Sequence, residues 1–260
     1  FGREEVLASP PYAETCSSCS ADCGECYDPR LGTAILSPTE VEAGSNQRFY
    51  VNYTVDSPIT SGGAVKIYFA SPFFHFNCLI QNSNPSGCGY VDVSSSNPSV
   101  QLGVKTVWAG GPEWGTRLAE TIITVNSNTL NKGDKIYFVY GANNQKAYAQ
   151  EIANNAEVTV LVSLGEGQLF QEIQNSPVLK VSSSSSYKLI SAINPDTKIL
   201  KLAVIDIYGN LVDNYEGQAS IYLIDENNQE TPLNNIQIIS GRAVFQLPSI
   251  YSGYFIIKSV

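Results

Sequence analysis

From Gly32 to its end, the chain is written in short runs of alternating apolar and polar residues, and no long segment keeps an apolar period of 3.6. Side chains along an extended strand point to opposite faces, so a period of two marks strands with one buried face. In RFYVNYTV, Phe49, Val51, Tyr53 and Val55 share one face, while Arg48, Tyr50, Asn52 and Thr54 share the other. Val65, Ile67 and Phe69 repeat the pattern, as do Ile136, Phe138 and Tyr140, and then Val158, Val160 and Val162. Segments rich in Gly, Pro, Ser, Asn and Asp punctuate the runs: SPTEVEAGSN, DSPITSGG, NSNPSG, NKGD and GANNQ. Half-buried strands at this spacing predict an antiparallel β-sandwich over residues 31–181.

A second β-domain is expected over 182–260, behind the polar run Ser182–Ser186, which reads as a linker or an exposed strand end. Leu200, Leu202 and Val204 form one inward row, Ala219, Ile221 and Leu223 another, and Ala243, Phe245 and Leu247 a third. The two runs around DIYGNLVDNYEGQ read as a hairpin. Residues 1–30 lack periodicity, carry Pro10-Pro11 as an extended break, and hold most of the cysteines. The predicted fold is therefore all-β: two tandem antiparallel β-sandwich (Ig-like) domains with a cysteine-rich N-terminal arm.

Composition bounds the partners. The net charge is −9 with only 15% charged residues, so no basic patch is available for nucleic acid or an anionic membrane. No run approaches the roughly 20 apolar residues of a membrane span, so membrane insertion is not expected. The chain has no Met and begins at Phe1, which predicts a secreted precursor whose signal peptide has been removed. Six cysteines, an even number, agree with an oxidising, extracellular or cell-surface setting.

Cys16, Cys19, Cys23 and Cys26 form C-x2-C-x3-C-x2-C, the sharpest motif in the chain. Four thiolates at this spacing bring zinc to mind, but its two CxxC knuckles usually stand ~15–20 residues apart. Two disulfides pinning the arm are expected instead, with pairing inside the cluster or to Cys78 and Cys88 left open. A mutual Cys78–Cys88 bond would close the loop QNSNPSG, worth ~2–3 kcal/mol in chain entropy. No metal and no cofactor is expected.

His75 stands among aromatics in SPFFHFNC with no nucleophile or carboxylate beside it in sequence, and reads as a packed loop residue. Glu113 and Glu120 can be imagined as a glycosidase pair, although spacing does not establish it and solvated loop charges explain them as well. HExxH, GxSxG and GxxxxGK[ST] are absent, so no catalytic residue is assigned. Oxygen ligands for calcium occur at Asp206, Asn210, Asp213 and Asn214, but Asx-type turns account for the same residues. The loop VWAGGPEWGTR carries both tryptophans, Trp108 and Trp114; they would stack on sugar rings or fold back over their own core. Asn52-Tyr53-Thr54 is an N-glycosylation sequon whose Asn falls on the outward face.

GTAILSPTEVEAGSNQRFYVNYTV, GGAVKIYF, LNKGDKIYFVYG and QLFQEIQNSPVLKV resemble the β-rich region preceding the metal-dependent, amidohydrolase-like domain of a family of large uncharacterised microbial proteins. LAVIDIYGNLVDNYEGQASIYL and GRAVFQLPSIYSGYFIIKSV are similar to the Ig-like module following that domain, and more loosely to invasin-type bacterial surface repeats. The resemblance covers 31–260 and implies the scaffold of that family. Its catalytic domain requires several His and Asp ligands, whereas this chain has one His. No ligand residue carries over.

Together these features predict a non-enzymatic extracellular structural protein: a self-assembling subunit of a filament, tube or surface layer. Its partners would be copies of itself, joined by exchange of the arm onto open sheet edges. Two other readings fit the same sequence. One is an adhesin or carbohydrate-binding module that recognises surface glycans through the Trp108–Trp114 loop; the other is an accessory β-domain of a hydrolase whose catalytic part lies elsewhere.

Overall fold

The computed structural model describes residues 29–69, 80–109, 118–143, 147–185, 187–248 and 254–259. Residues 1–28 of the arm, Cys78, His75, Glu113 and Trp114 lie outside the described residues. In chain order the strands begin with β1 (Thr33–Ser37), β2 (Glu40–Glu42), β3 (Asn46–Gln47), β4 (Phe49–Thr54), β5 (Ala64–Phe69) and β6 (Val91–Ser95). They continue with β7 (Gln101–Ala109), β8 (Leu118–Ser127), β9 (Lys135–Tyr140), β10 (Ala147–Tyr148), β11 (Asn155–Ser163), β12 (Gln171–Glu172) and β13 (Val178–Ser182). The last are β14 (Tyr187–Asn194), β15 (Ile199–Asp206), β16 (Gly217–Ile224), β17 (Glu230–Ile238), β18 (Arg242–Gln246) and β19 (Tyr254–Ser259). Among the described residues the chain is all-β apart from a single 3-10 turn at Pro29–Leu31.

Two compact units share these strands. Unit one comprises Phe1–Thr39, Asn46–Tyr148 and Ala156–Leu179; unit two comprises Glu40–Ser45, Ala149–Asn155 and Lys180–Val260. The sequence reading sets boundaries after residue 30 and at 181/182, whereas unit two also takes in two short segments from earlier in the chain. Local periodicity carries no trace of this, because each segment is held by partners far away in sequence.

Unit one is a sandwich. One sheet has the order β1-β4-β9-β6, and the other contains β11-β5-β8-β7, with β12 and the start of β13 beside β11. The rows read from period two are buried: Phe49, Val51, Tyr53 and Val55; Val65, Ile67 and Phe69; Ile136, Phe138 and Tyr140; Val158, Val160 and Val162. Phe69 of one sheet reaches the aromatic residues of the other, 5.9 Å from Phe49, 6.2 Å from Phe138 and 5.5 Å from Tyr140 between ring centroids. Offset and edge-on rings at these distances add to the area they bury. Tyr53 buries its ring here and donates its hydroxyl to the Leu31 carbonyl. Burial, reinforced by the Asp56 charge, pushes the Tyr53 phenol well above its ordinary range.

Unit two is built on two three-stranded antiparallel sheets, β14-β15-β18 and β17-β16-β19. Leu200, Leu202 and Val204 from the first meet Ala219, Ile221, Ile236 and Ile238 from the second in one buried cluster. Here the hairpin expectation is corrected: β15 and β16, on either side of DIYGNLVDNYEGQ, are not paired. Each lies in a different sheet, and they face one another across the core, because both carry a full buried row and Asp206–Gly217 is too long for a tight turn. Alternation shows that a strand has a buried face, not whether its sequence neighbour pairs with it or packs over it.

The hairpins of this unit are β14–β15 and β16–β17, and a tight turn carries the chain from β17 in one sheet to β18 in the other. Ser240 and Gly241 both take positive φ, 49° and 69°, as a two-residue primed turn requires. Ile239 and Arg242 exchange both backbone hydrogen bonds across it. Gly241 also donates to the Tyr215 carbonyl and accepts from Val204 N–H, and a methyl group there would strike the Val212 carbonyl. Gly241→Ala is expected to cost unit two about 2 kcal/mol, from the left-handed backbone and the displaced contact together. Chemical denaturation followed by circular dichroism measures it.

Candidate assembly edges

A sheet edge is a row of unpaired backbone donors and acceptors, and proteins blunt such rows with short strands, prolines, bulges or covering segments. In unit one, β1 is five residues long and runs into Pro38. At the other end of its sheet, β6 is also five residues long. The longer β7 is interrupted by a register shift between Gln101 and Leu102. Asn82 covers part of it, donating to the Val104 carbonyl at 2.7 Å and accepting from the Thr106 hydroxyl at 3.3 Å.

In unit two, β17 holds Pro232 and a bulge at Ile221/Tyr222 of its partner, and β18 has five residues. β19 is straight over six positions, and β14 is the longer unblunted edge. It pairs with β15 alone among the described residues, over eight consecutive positions from Tyr187↔Asp206 to Asn194↔Ile199, without bulge or proline. Alternate residues Tyr187, Leu189, Ser191 and Ile193 stand opposite buried Asp206, Val204, Leu202 and Leu200, so this row is aimed at the core side. Yet Tyr187 is 55% exposed and Ile193 44% exposed, and Ser191 is exposed as well. Only Leu189 packs against the core cluster, while Tyr187 rests edge-on against Tyr215 at 4.8 Å. Burial, and the neighbouring Tyr187 hydroxyl, push the Tyr215 phenol upward. Sequence reasoning overlooked this strand because YKLISAIN has apolar residues on both faces and no clean alternation.

The start of β14 is tethered by a polar knot. Asp206, only 1% exposed, accepts hydrogen bonds from Ser184 N–H (2.8 Å), Tyr208 N–H (2.9 Å), Asn210 N–H (2.8 Å) and the Asn210 side-chain amide (2.9 Å). Asn210 in turn donates to the Glu151 carbonyl and accepts from Ala153 N–H, fixing the segment Ala149–Asn155 within the unit. Burial alone pushes the Asp206 carboxyl up, but the Asn210 side chain and the backbone N–H groups of Ser184, Asn210 and Tyr208 outweigh it and hold the group below its ordinary range. These four donors occupy the carboxylate, as the Asx-turn reading expects. Among the described residues no group of three His, Cys, Asp or Glu could hold a metal ion.

The other residues singled out from sequence scatter. Asn52 lies on the exposed face of β4, between Ile35 of β1 and Tyr137 of β9. Trp108 occupies β7 opposite Ala119, and its partner in the loop, Trp114, falls outside the described residues. Glu120 pairs with Lys66 at 2.9 Å, and Lys66 also lies over the Phe170 ring at 4.3 Å. Cys88 is disulfide-bonded. Cys16, Cys19, Cys23, Cys26 and Cys78 lie outside the described residues. No helix among the described residues is long and apolar enough to cross a membrane.

The sequence matches no protein-family model and no curated protein. Among solved structures it is similar to a chain from the chaperone–tip adhesin complex of CFA/I fimbriae, at 13% identity and a TM-score of 0.24, covering 87% of this chain and 98% of that one. It is also similar to the collagen adhesin of S. aureus, at 14% identity and a TM-score of 0.19, covering 78% of this chain and 61% of that one. The chain thus spans less than two thirds of the collagen adhesin's length.

Proposed function

We propose that this chain is a non-enzymatic extracellular structural protein that assembles with copies of itself into a filament, tube or surface layer. The observation that carries the reading is the eight-residue edge of β14, left straight, free of proline, with Tyr187, Leu189 and Ile193 on its core side. Such an edge is a template for another strand. The extracellular setting is supported by the cysteine chemistry, with Cys88 in a disulfide, and by a surface of neutral polar residues with 15% charge.

In this reading the N-terminal arm is the joint between subunits. Negative-stain microscopy and sedimentation of the intact protein should find polymers whose mass grows with concentration. Removing residues 1–28 should leave folded monomers with an unchanged far-ultraviolet dichroism spectrum. Intact protein that stays monomeric at every concentration would end the assembly reading, and truncated protein that still polymerises would remove the arm as its joint.

A further inference from the structure

Among the described residues, the two sheets of unit two leave one flank uncovered. On one side, β17 and β18 are joined by the tight Ser240-Gly241 turn. The far edge of one sheet is then β14, and the far edge of the other is β19. Both far edges aim apolar rows inward without burying them fully. Phe255 and Ile257 of β19, opposite Leu223 and Ile221, pack against the core but stay half-buried, while Tyr187 and Ile193 of β14 are about half exposed. A sandwich completed on this side would cover all four.

The outer face beside this edge is positively charged. Lys188 on β14, Lys201 on β15 and Arg242 on β18 lie on the same face, through the pairs Lys188↔Ile205, Ala192↔Lys201 and Ala203↔Arg242. No carboxylate from these three strands shares that face. In a chain of net charge −9, a strip of this sign favours an acidic strand beside it.

We infer that the β14 edge of unit two accepts residues Glu4–Ser9 of a second copy as an added strand; this rests on the assembly reading above and names its acceptor. Glu4-Glu5-Val6-Leu7-Ala8-Ser9 is acidic at its start, apolar through its middle, and ended by Pro10-Pro11, which cannot continue a ladder. Laid along β14 with Val6 and Ala8 inward, it places two short apolar side chains between the rows of β14 and β19, with Glu4 on the same side at the strand's end. Leu7 then lies beside Ile190, and Glu5 faces the Lys188–Lys201 side. The segment 10–28 spans at most about 65 Å when extended, ample reach to a neighbouring molecule.

Hydrogen exchange and charge reversal in the full-length chain test this. On assembly, the amides of 187–194 should slow by at least about tenfold relative to dilute monomer, while those of the blunted β17 edge change little. Lys188→Glu should raise the concentration needed for assembly by about tenfold, and Glu5→Lys in the same chain should restore it. Assembly without new protection at 187–194 would overturn the acceptor and leave the assembly reading standing. Protection at 187–194 that Lys188→Glu leaves unchanged, or that Glu5→Lys fails to rescue, would overturn the donor and point to β14 pairing with its own copy. A protein that stays monomeric at every concentration overturns both.

Discussion

Replacing Phe138 by alanine is expected to remove about 3–5 kcal/mol from unit one, the usual cost of deleting a fully buried aromatic ring. Phe138 has no exposed surface; it stands between Val51 of β4 and Val93 of β6 and faces Phe69 from the opposite sheet at 6.2 Å. Phe69 also contacts Phe49 and Tyr140, and Phe49 stacks on Tyr140 at 5.9 Å. Removing one ring of this set opens a cavity bordered by stiff neighbours that do not collapse into it. A thermal scan should show the transition of unit one falling by about 10 °C or more. Phe138→Leu keeps most of the volume and should cost under half as much. Equal losses for the two variants would mean that the aromatic ring itself, and not the apolar volume it fills, carries this stability.

Asp206→Ala should be nearly as damaging to unit two, by about 3 kcal/mol or more, through a different mechanism. The change leaves the N–H groups of Ser184, Tyr208 and Asn210 without their acceptor and frees the Asn210 amide that anchors Ala149–Asn155. Hydrogen bonds to a charged group are worth about 1.5–3 kcal/mol each, though members of one network do not simply add. The carboxyl titrates below its ordinary range in the folded chain. Its contribution is therefore complete above the unfolded value of about 4 and is lost as the pH falls through the lower folded value. Urea denaturation at a series of pH values should show unit two weakening below pH ~4, and Asp206→Ala should flatten that part of the profile. A variant as stable as the parent at pH 7 would show that the knot is dispensable.

Much of the architecture was legible because burial writes itself into alternation. The row Phe49, Val51, Tyr53, Val55 and the row Val158, Val160, Val162 are apolar at every second position, and both are buried. Partnership is a different matter. β15 and β16 look like the arms of a hairpin, since the sequence of a strand is the same whether its neighbour pairs with it or faces it. The reach of Asn210 to Glu151 and Ala153 was invisible, because no local pattern announces a contact nearly 60 residues away. The candidate edge was hidden for a related reason. Tyr187, Ile190 and Ile193 place apolar side chains on both faces of β14, so the periodicity that finds half-buried strands passes over one whose cover is missing.

Unit two draws on three stretches of chain: Glu40–Ser45, Ala149–Asn155 and Lys180–Val260. During synthesis, β2 leaves the ribosome well over a hundred residues before Lys180, Val181 and Ser182, its parallel partners in β13. Its early residues must wait, unpaired, while nearly the whole of unit one is made. Closing loops of that length before any contact rewards them makes for slow maturation. A gene fragment starting at residue 182 would omit β2, Lys180 and Val181 of β13, and the Ala149–Asn155 segment that Asn210 holds. Unit two is therefore finished last, and only by a chain that has already passed through unit one.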